Sequence, residues 1–352
     1  MDPRLSELKS WSAQMLDQLG ETLSDNWQCS VVAGDASFRR YFRITDGDRT
    51  WIAVDAPPEK EDSQPFVEVA RCWQGLDVNV PDIKADDLQQ GFMLLEDFGD
   101  IQFLPELSPE TADALYGSAF AELLKLQRCM GLAARELPPY DSAMLQREVD
   151  LFRDWFLKEL LQVSLSDING QSLDQIFSTL INSALQQPQV CVHRDYHSRN
   201  LMLCGENRVG VIDFQDAVMG PVTYDLVSLL RDCYIAWPEQ DVERWLSQYW
   251  ELLQQERPDQ LGEIDLEQFR IWFDRMGMQR HLKAVGIFAR LKIRDGKAGY
   301  LQDIPRTMSY LLDVGGRYPE HQGVVEWLRA EVVPLMSSSG LFDQDAMQRW
   351  LD

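Results

Sequence analysis

The sequence predicts an α+β protein of two lobes, a small antiparallel β lobe followed by a large, mainly helical lobe. Residues 27–54 contain three short segments of strand character, separated by turns at 34–35 and 46–48. From about residue 108 onward, apolar residues recur at spacings of three and four, which is typical of helices. The chain has 352 residues and is 45% hydrophobic, so it is long and apolar enough for two lobes with separate cores.

The first lobe is expected at residues 1–97. A helical period begins the lobe, and a strand meander follows until Pro57 and Pro58 end it. The predicted elements are a helix at 4–19, strands at 27–32, 38–44 and 50–54, a helix at 64–74, and strands at 81–83 and 91–96.

The second lobe is expected at residues 98–352. Its helices follow from apolar residues spaced by three and four, and its strands from short apolar runs. The predicted helices are 111–132, 143–163, 172–184, 241–255 and 266–294, and the predicted strands are 190–192, 201–203 and 209–212.

Composition and charge exclude several classes of protein. The formal net charge of -24 repels nucleic acid and anionic lipid, so we expect neither as a partner. The N-terminal segment lacks the apolar core of a signal peptide, and no run approaches the roughly 18 apolar residues of a membrane span. Six cysteines without a C-x-x-C spacing are typical of reduced thiols. These features predict a cytoplasmic location.

One segment carries the residues needed to move a phosphoryl group. Residues 193–200 read His-Arg-Asp-Tyr-His-Ser-Arg-Asn, and Asp213 follows a short apolar strand thirteen residues after Asn200. Asp195 would accept a proton from an attacking hydroxyl, while Asn200 and Asp213 would offer oxygen ligands to Mg²⁺. Phosphoryl transfer asks mainly for such positioned groups.

The same segment has a second interpretation, because His193, Asp195 and His197 alternate along an extended chain and would share one face. That spacing would suit a transition-metal hydrolase. However, the chain has four histidines, and His281 and His321 lack matching ligand residues nearby, so this interpretation is disfavoured.

The pattern His-x-Asp-x-His-x-x-Asn followed by Ile-Asp-x-x-Asp resembles the aminoglycoside phosphotransferase and choline kinase branch of the protein-kinase-like fold. The resemblance implies that Asp195 is the catalytic base or the group that orients the substrate hydroxyl. It also implies that Asn200 and Asp213 hold magnesium ions bridging the phosphates of ATP. The second histidine, His197, is typical of the small-molecule branch.

The resemblance also assigns supporting roles around this motif. His193 would orient the loop through hydrogen bonds, and Asp225 would accept hydrogen bonds from the backbone of the catalytic segment. Asp216 would either assist the metal or cap the following turn. Removing a buried carboxylate such as Asp225 would leave its donors unpaired.

The nucleotide end departs further from the family. Gly34 to Arg43 occupies the place of the phosphate-covering loop but has one glycine, so Ser37 with Arg39 or Arg40 would compensate. An ordinary hairpin with outward basic residues is the alternative.

Two other positions at this end matter in the family. Val54 stands where the family places a phosphate-binding lysine, which would leave Glu68 without a partner unless an arginine from 39–43 reaches in. The segment 93–99 resembles the hinge between lobes, where backbone groups from Glu96 to Phe98 would hydrogen-bond the adenine.

A basic segment bears on the second substrate. Between residues 275 and 297, a helical spacing places Arg280, Lys283, Ile287, Arg290 and Arg294 along one stripe, of which Arg280, Lys283 and Arg290 are the predicted substrate residues. In so acidic a protein this stripe would face an anionic or sugar ligand. The alternative is a helix held by salt bridges to the acidic body.

Several segments together resemble a subgroup of the family, the bacterial anomeric kinases of N-acetylmuramate and N-acetylglucosamine that serve cell-wall recycling. They are Gly-Asp-Ala-Ser-Phe-Arg-Arg-Tyr-Phe-Arg, Val-Asp-Ala-Pro-Pro, Leu-Leu-Glu-Asp-Phe-Gly-Asp and Gln-Arg-His-Leu-Lys-x-x-Gly-Ile-Phe-Ala-Arg. The resemblance implies transfer of the ATP γ-phosphate to the C1 hydroxyl of the sugar. Two alternatives stay open: a kinase for another small substrate of the aminoglycoside or choline type, and a catalytically dead nucleotide-binding regulator.

Overall fold

The computed structural model describes residues 2–34, 38–133, 135–205, 208–257 and 261–351. The chain forms two compact units, one of residues 1–136 with 199–217 and the other of residues 137–198 with 218–352. These units are defined by packing, and the lobe boundary after residue 97 stays a prediction from sequence.

A five-stranded antiparallel sheet organises the first unit, in the order β1-β2-β3-β5-β4. Its strands are β1 Gln28–Gly34, β2 Arg40–Asp46, β3 Arg49–Asp55, β4 Ile83–Asp87 and β5 Phe92–Glu96. The predicted meander of three strands is therefore confirmed. The strand predicted at 81–83 instead begins at Ile83.

One face of this sheet is covered by the first helix. The helices of the unit are α1 Pro3–Gln18, α2 Gln64–Gln74, α3 Phe103–Glu106 and α4 Ala112–Leu126. Alternate residues of each strand point to opposite faces, and one face packs against α1. The resulting core consists of Leu8, Trp11, Leu16, Phe42, Ile44, Trp51, Ala53, Phe92 and Leu94. The opposite face, which includes Ile52, lines a cavity.

A small hairpin completes the first unit. Strands β7 Leu201–Leu203 and β8 Val209–Val211 pair antiparallel, with Leu201 opposite Val211. Asn79 connects this hairpin to the unit, since its side chain donates to the Val209 carbonyl at 2.9 Å and its own carbonyl accepts from Val211.

The second unit is mainly helical. Its two paired strands are β6 Gln189–Val192 and β9 Val218–Pro221. Its longer helices are α5 Ser142–Leu151, α6 Asp167–Leu185, α7 Tyr224–Leu230, α8 Glu239–Glu256, α9 Leu266–Asp295, α10 Ile304–Gly315, α11 Gln322–Trp327, α12 Val333–Ser338 and α13 Gln344–Leu351. A π-helical segment, Phe152–Leu160, continues α5, and a 3-10 segment, Ala298–Asp303, follows α9.

Helix α9 is the central element of the second unit. Asp265 caps its N-terminus by accepting from the Gln268 amide at 2.8 Å, and Gly296 ends it with a φ of 70°. Gly286 allows close packing, because an added Cβ there would lie 2.3 Å from the carbonyl carbon of Leu151 at the end of α5. This close approach fixes the position of the side chains along α9.

Several elements differ from the sequence prediction. The helix expected at 111–132 ends at Leu126, and Cys129 and Leu132 are buried in irregular chain instead. Strand β9 was not predicted, and the start of helix α7 at Tyr224 follows only from the family resemblance, because the fully buried run Tyr224–Leu230 has no polar face and thus no period. Within the described residues, no helix has the length and apolar character needed to cross a membrane.

Candidate active site

The first unit contains a cavity of about 500 Å³ beneath the open face of the sheet. Residues from the sheet, the hinge segment and the small hairpin share its lining. They include Tyr41, Arg43, Ile52, Leu95, Glu96, Asp97, Phe98, Asn200, Met202 and Asp213. The predicted hinge residues Glu96 and Phe98 and the predicted metal residues Asn200 and Asp213 thus line one cavity.

The hairpin holds Asn200 and Asp213 side by side. Asn200 immediately precedes β7, Asp213 follows β8, and the Ile212 amide donates to the Asn200 carbonyl at 3.1 Å. The Asn200 carboxamide lies 3.3 Å from Oδ2 of Asp213, and Gln215 donates to its Oδ1 at 2.9 Å. The backbone of Asp213 has a φ of 65°, a strained value for a residue with a side chain, which is often found at functional sites.

This pair fits a magnesium ion. Mg²⁺ is usually held by one or two protein oxygens together with substrate phosphates and water. One carboxylate and one carboxamide at the wall of the same cavity provide that donor set.

The hinge segment is joined to β2 by ion pairs. Arg43 contacts Asp97 at 2.5 Å and Asp100 at 2.7 Å, and Asp97 is 3% exposed. In the sheet, Arg43 lies opposite Ile52 on the face that lines the cavity. Ile52 is two residues before Val54 on β3. Burial opposes ionisation of Asp97, but the Arg43 guanidinium and neighbouring hydrogen bonds lower the pKa of Asp97 below its usual value. Arg43 is therefore the arginine of 39–43 that reaches the cavity.

The other predicted nucleotide residues make different contacts. Arg40 pairs with Asp55 and Asp2, and Arg39 is buried with its guanidinium 5.9 Å from the Phe66 ring. Neither arginine is among the described residues that line the cavity. Gly34 ends β1 opposite Arg40. Ser37 lies outside the described residues.

Glu68 has a partner, so the expectation that it would lack one is wrong. Its carboxylate accepts from Arg135 at 2.7 Å and from Gln64 at 2.9 Å. Arg135 lies far along the chain, in a loop, and sequence spacing gives no sign of the pairing. Val54, which is fully buried in β3, needs no counter-charge.

In the second unit, the predicted catalytic segment, residues 193–200, is held by Asp225. Its carboxylate accepts from the backbone amides of His193 at 2.7 Å and Arg194 at 3.0 Å, and the ring of buried His193 accepts from the Asp195 amide at 3.2 Å. Burial raises the pKa of Asp225 to about 6, although His193 and these amides oppose the shift. Arg194 has a φ of 79°, so the backbone is strained directly before Asp195.

Asp195 lines a second, smaller cavity of about 140 Å³ within this unit. The predicted substrate residues Arg280 and Lys283 line the same cavity. The other lining residues are His197, Tyr224, Cys233, Tyr234, Ala284, Ile287, Phe288, Leu291 and Tyr300. Arg290 is not among the described lining residues, and Asp216, on the first unit, is exposed to solvent.

Buried cations set the charge of Asp195. Burial alone would raise its pKa, but Lys283, followed by His197, Arg194 and Arg280, outweighs burial and lowers the pKa to about 2. Lys283 donates to the Tyr224 hydroxyl at 2.9 Å and lies 3.3 Å from Glu148, which also pairs with Arg194 at 2.7 Å. Asp195 is therefore an ionised carboxylate in a cavity with cationic walls.

His197 lies beside it as a neutral ring. Burial lowers the pKa of His197 to about 4, although Asp232 and Asp195 oppose the shift. Its Nδ1 has no hydrogen-bond partner among the described residues, and its ring packs edge-on against Tyr234 at 5.2 Å. Asp232 fixes this part of the segment by accepting from the Ser198 amide at 2.9 Å.

Sequence reasoning missed several of these residues. Asp232, Glu148 and Tyr300 come from three separate elements and belong to no motif, so only the folded chain brings them to the site. Arg43, by contrast, lay within a segment already singled out. It lies opposite Ile52 in the neighbouring strand, and Ile52 and Val54 point to the same face because they are two residues apart. Strand alternation would therefore have placed Arg43 on the face of Val54.

The chain is similar to known phosphotransferases over most of its length. Residues 28–264 match the model of the phosphotransferase enzyme family. The chain is 43% identical to the N-acetylmuramate/N-acetylglucosamine kinase of Pseudomonas putida, with 91% of this chain and 94% of the relative covered. The kinase of the same name from Pseudomonas aeruginosa is also 43% identical, again covering 91% and 94%.

The fold is similar to that of solved kinases. The choline kinase LicA from Streptococcus pneumoniae superposes with a TM-score of 0.58 at 13% identity, covering 87% of this chain and 99% of that chain. The predicted α+β, protein-kinase-like fold is thereby confirmed. From the family match and from these relatives, the chain belongs to the phosphotransferase enzyme family.

Proposed function

We propose that this enzyme transfers the γ-phosphate of ATP, with Mg²⁺, to the anomeric C1 hydroxyl of N-acetylmuramate and N-acetylglucosamine. One observation carries the proposal: Asp195 is an ionised carboxylate in a cavity that also holds Arg280 and Lys283. The names of the Pseudomonas relatives support the choice of sugars. A cytoplasmic role in reusing cell-wall sugars belongs to the same proposal.

The first cavity would bind the nucleotide. Its apolar walls, Ile52 and Leu95, suit an adenine ring, and the hinge backbone around Glu96 to Phe98 would hydrogen-bond the ring edge. Asn200 and Asp213 would hold Mg²⁺, which when bound neutralises charge on the phosphate oxygens.

The second cavity would bind the sugar, with Asp195 at the hydroxyl that reacts. In this step the C1 oxygen forms a bond to the γ-phosphorus while the bond from that phosphorus to the ADP oxygen breaks. A carboxylate with a pKa of about 2 is a weak base, so Asp195 accepts a hydrogen bond from the hydroxyl and aligns its lone pair. The hydroxyl proton passes to the Asp195 carboxylate late in the step, when bonding to phosphorus has made the hydroxyl strongly acidic. An anomeric hydroxyl suits this role because it is more acidic than an ordinary alcohol.

The observed charges disfavour the alternatives. An aminoglycoside or choline is a cation, and two buried cations, Arg280 and Lys283, line the cavity beside Asp195. A dead regulator would have little need for both an ionised Asp195 and a paired Asn200 and Asp213.

The proposal is tested by measuring sugar-dependent release of ADP from ATP and Mg²⁺ by the purified enzyme. We expect turnover with both sugars and a loss of about 10³-fold in kcat for Asp195→Asn, because the hydroxyl loses the group that orients it. Asp154→Asn, which removes an exposed carboxylate paired with Lys158, is the control and should leave kcat unchanged. ADP release that does not depend on either sugar would refute the proposal.

A further inference from the structure

Arg280 is a buried cation with few hydrogen-bond partners among the described residues of the protein. The side chain is 5% exposed and lines the second cavity on helix α9. Within the described residues its guanidinium makes one hydrogen bond, to the Cys233 sulfur at 3.5 Å. A thiol is a weak acceptor, so the five N–H donors of Arg280 are poorly satisfied.

Other buried cations of this unit are paired with carboxylates. Arg231 contacts Asp274 at 2.7 Å, and both Arg194 and Lys283 lie within 3.3 Å of Glu148. Among the described residues, no carboxylate lies within ion-pair distance of Arg280. Burial lowers the pKa of Arg280, but Cys233, Tyr224, Asp232 and Asp195 outweigh burial and raise it, so the side chain stays charged. Neither of these two carboxylates bonds to the guanidinium directly, which points to a ligand as the partner of its N–H donors.

Arg280 and Lys283 line different parts of the cavity wall. Arg280 precedes Lys283 by three residues of helix α9, or about 4.5 Å along the helix axis. Arg280 would then face a part of the sugar other than C1. The wall formed by Phe288 and Tyr300, stacked at 5.7 Å, offers the apolar surface on which a sugar ring packs.

We propose that Arg280 binds the carboxylate of N-acetylmuramate and so determines how well the enzyme uses the acidic sugar relative to the neutral one. The inference rests on the proposed function. N-Acetylmuramate is N-acetylglucosamine with a lactyl ether on O3, and that ether carries the single carboxylate. A guanidinium binds a carboxylate through two parallel hydrogen bonds, which gives both strength and orientation.

The test compares kcat/KM for the two sugars in wild type and Arg280→Gln. We expect the variant to lose about 100-fold for N-acetylmuramate, mainly through KM, because a desolvated charge pair is broken. For N-acetylglucosamine the loss should be at least about 10-fold smaller, because the neutral sugar loses no ion pair and Lys283, the strongest of the charges acting on Asp195, remains. Turnover of the neutral sugar also shows that the variant is folded. A parallel loss for both sugars would overturn the inference.

A change in the ligand makes the test independent of the variant's folding. Wild type should use the carboxamide analogue of N-acetylmuramate about 100-fold less well than the acid, while Arg280→Gln should use the two alike. Equal use of acid and amide by wild type would overturn the inference. Arg294→Gln is the matched control, because Arg294 is an exposed arginine of the same helix that pairs with Asp295. If wild type phosphorylates neither sugar, the proposed function itself fails.

Discussion

Two groups of the predicted catalytic segment, Asp195 and His197, have lowered pKa values for opposite reasons. Neighbouring cations overcome the cost of burial at Asp195 and favour its charged form, with a pKa of about 2. At His197 burial disfavours the charged form and lowers the pKa to about 4. Near neutral pH the segment therefore presents one anion and one neutral imidazole, and the ring can donate or accept a hydrogen bond with a substrate hydroxyl.

The neutral state of His197 gives a prediction about pH. Because its pKa in the folded protein lies below the ordinary value of 6.5, the unfolded chain takes up a proton between about pH 6.5 and 4 that the folded chain does not. Protonation of His197 in the unfolded chain should therefore lower the free energy of unfolding as the pH falls from about 6.5 to 4. Ring ¹⁵N NMR of histidine-labelled protein, assigned with His197→Gln, should show a neutral ring down to about pH 5. A protonation midpoint at or above pH 6 would contradict the account.

Spacing in the sequence predicts which residues would carry the chemistry but not every group that sets their pKa. Asp195, Asn200 and Asp213 lie close together in the chain, so a local pattern reveals them. Against the effect of burial, the pKa of Asp195 is lowered by Lys283, by His197 and Arg194 of the same motif, and by Arg280. Lys283 and Arg280 come from a helix some ninety residues later in the chain, which no local pattern connects to the motif.

At the scale of elements, helix α9 determines the second cavity through its contact with α5. Gly286 lets the two helices approach so closely that Lys283, on α9, comes within 3.3 Å of Glu148 on α5. The sequence predicted α9 almost to the residue, since its cap and its terminal glycine are local signals. The sequence did not decide whether the basic stripe of this helix faces a ligand or forms salt bridges. Arg280 and Lys283 line the cavity, whereas Arg294 pairs with Asp295.

This contact predicts opposite effects for two glycine substitutions. Gly286→Ala should destabilise the protein by about 2 kcal/mol, because the new Cβ would overlap the Leu151 backbone, and this outweighs the better helix propensity of alanine. Gly117→Ala, in helix α4, should stabilise it by about 0.5–1 kcal/mol, since nothing lies within 4 Å of the added Cβ. Urea denaturation measures both changes. Equal effects at the two positions would contradict the proposed close packing.

At the scale of the whole molecule, the charge distribution matters more than the net charge. The net charge of -24 would repel the proposed substrates, ATP and an acidic sugar, so their attraction would have to come from the few cations inside the cavities. Net charge could be computed from composition alone. The placement of Arg43, Arg280 and Lys283 at cavity walls could not, because each depends on which residues the fold brings opposite it.

The proposed function requires the enzyme to transfer the γ-phosphate of ATP to the anomeric oxygen on C1 of the sugar. The direct measurement is ³¹P NMR of the product formed from N-acetylglucosamine, ATP and Mg²⁺, with detection of coupling between phosphorus and the sugar protons. The account predicts a single sugar phosphate whose phosphorus couples to the proton on C1. Coupling to the two protons on C6, or no sugar phosphate at all, would contradict it.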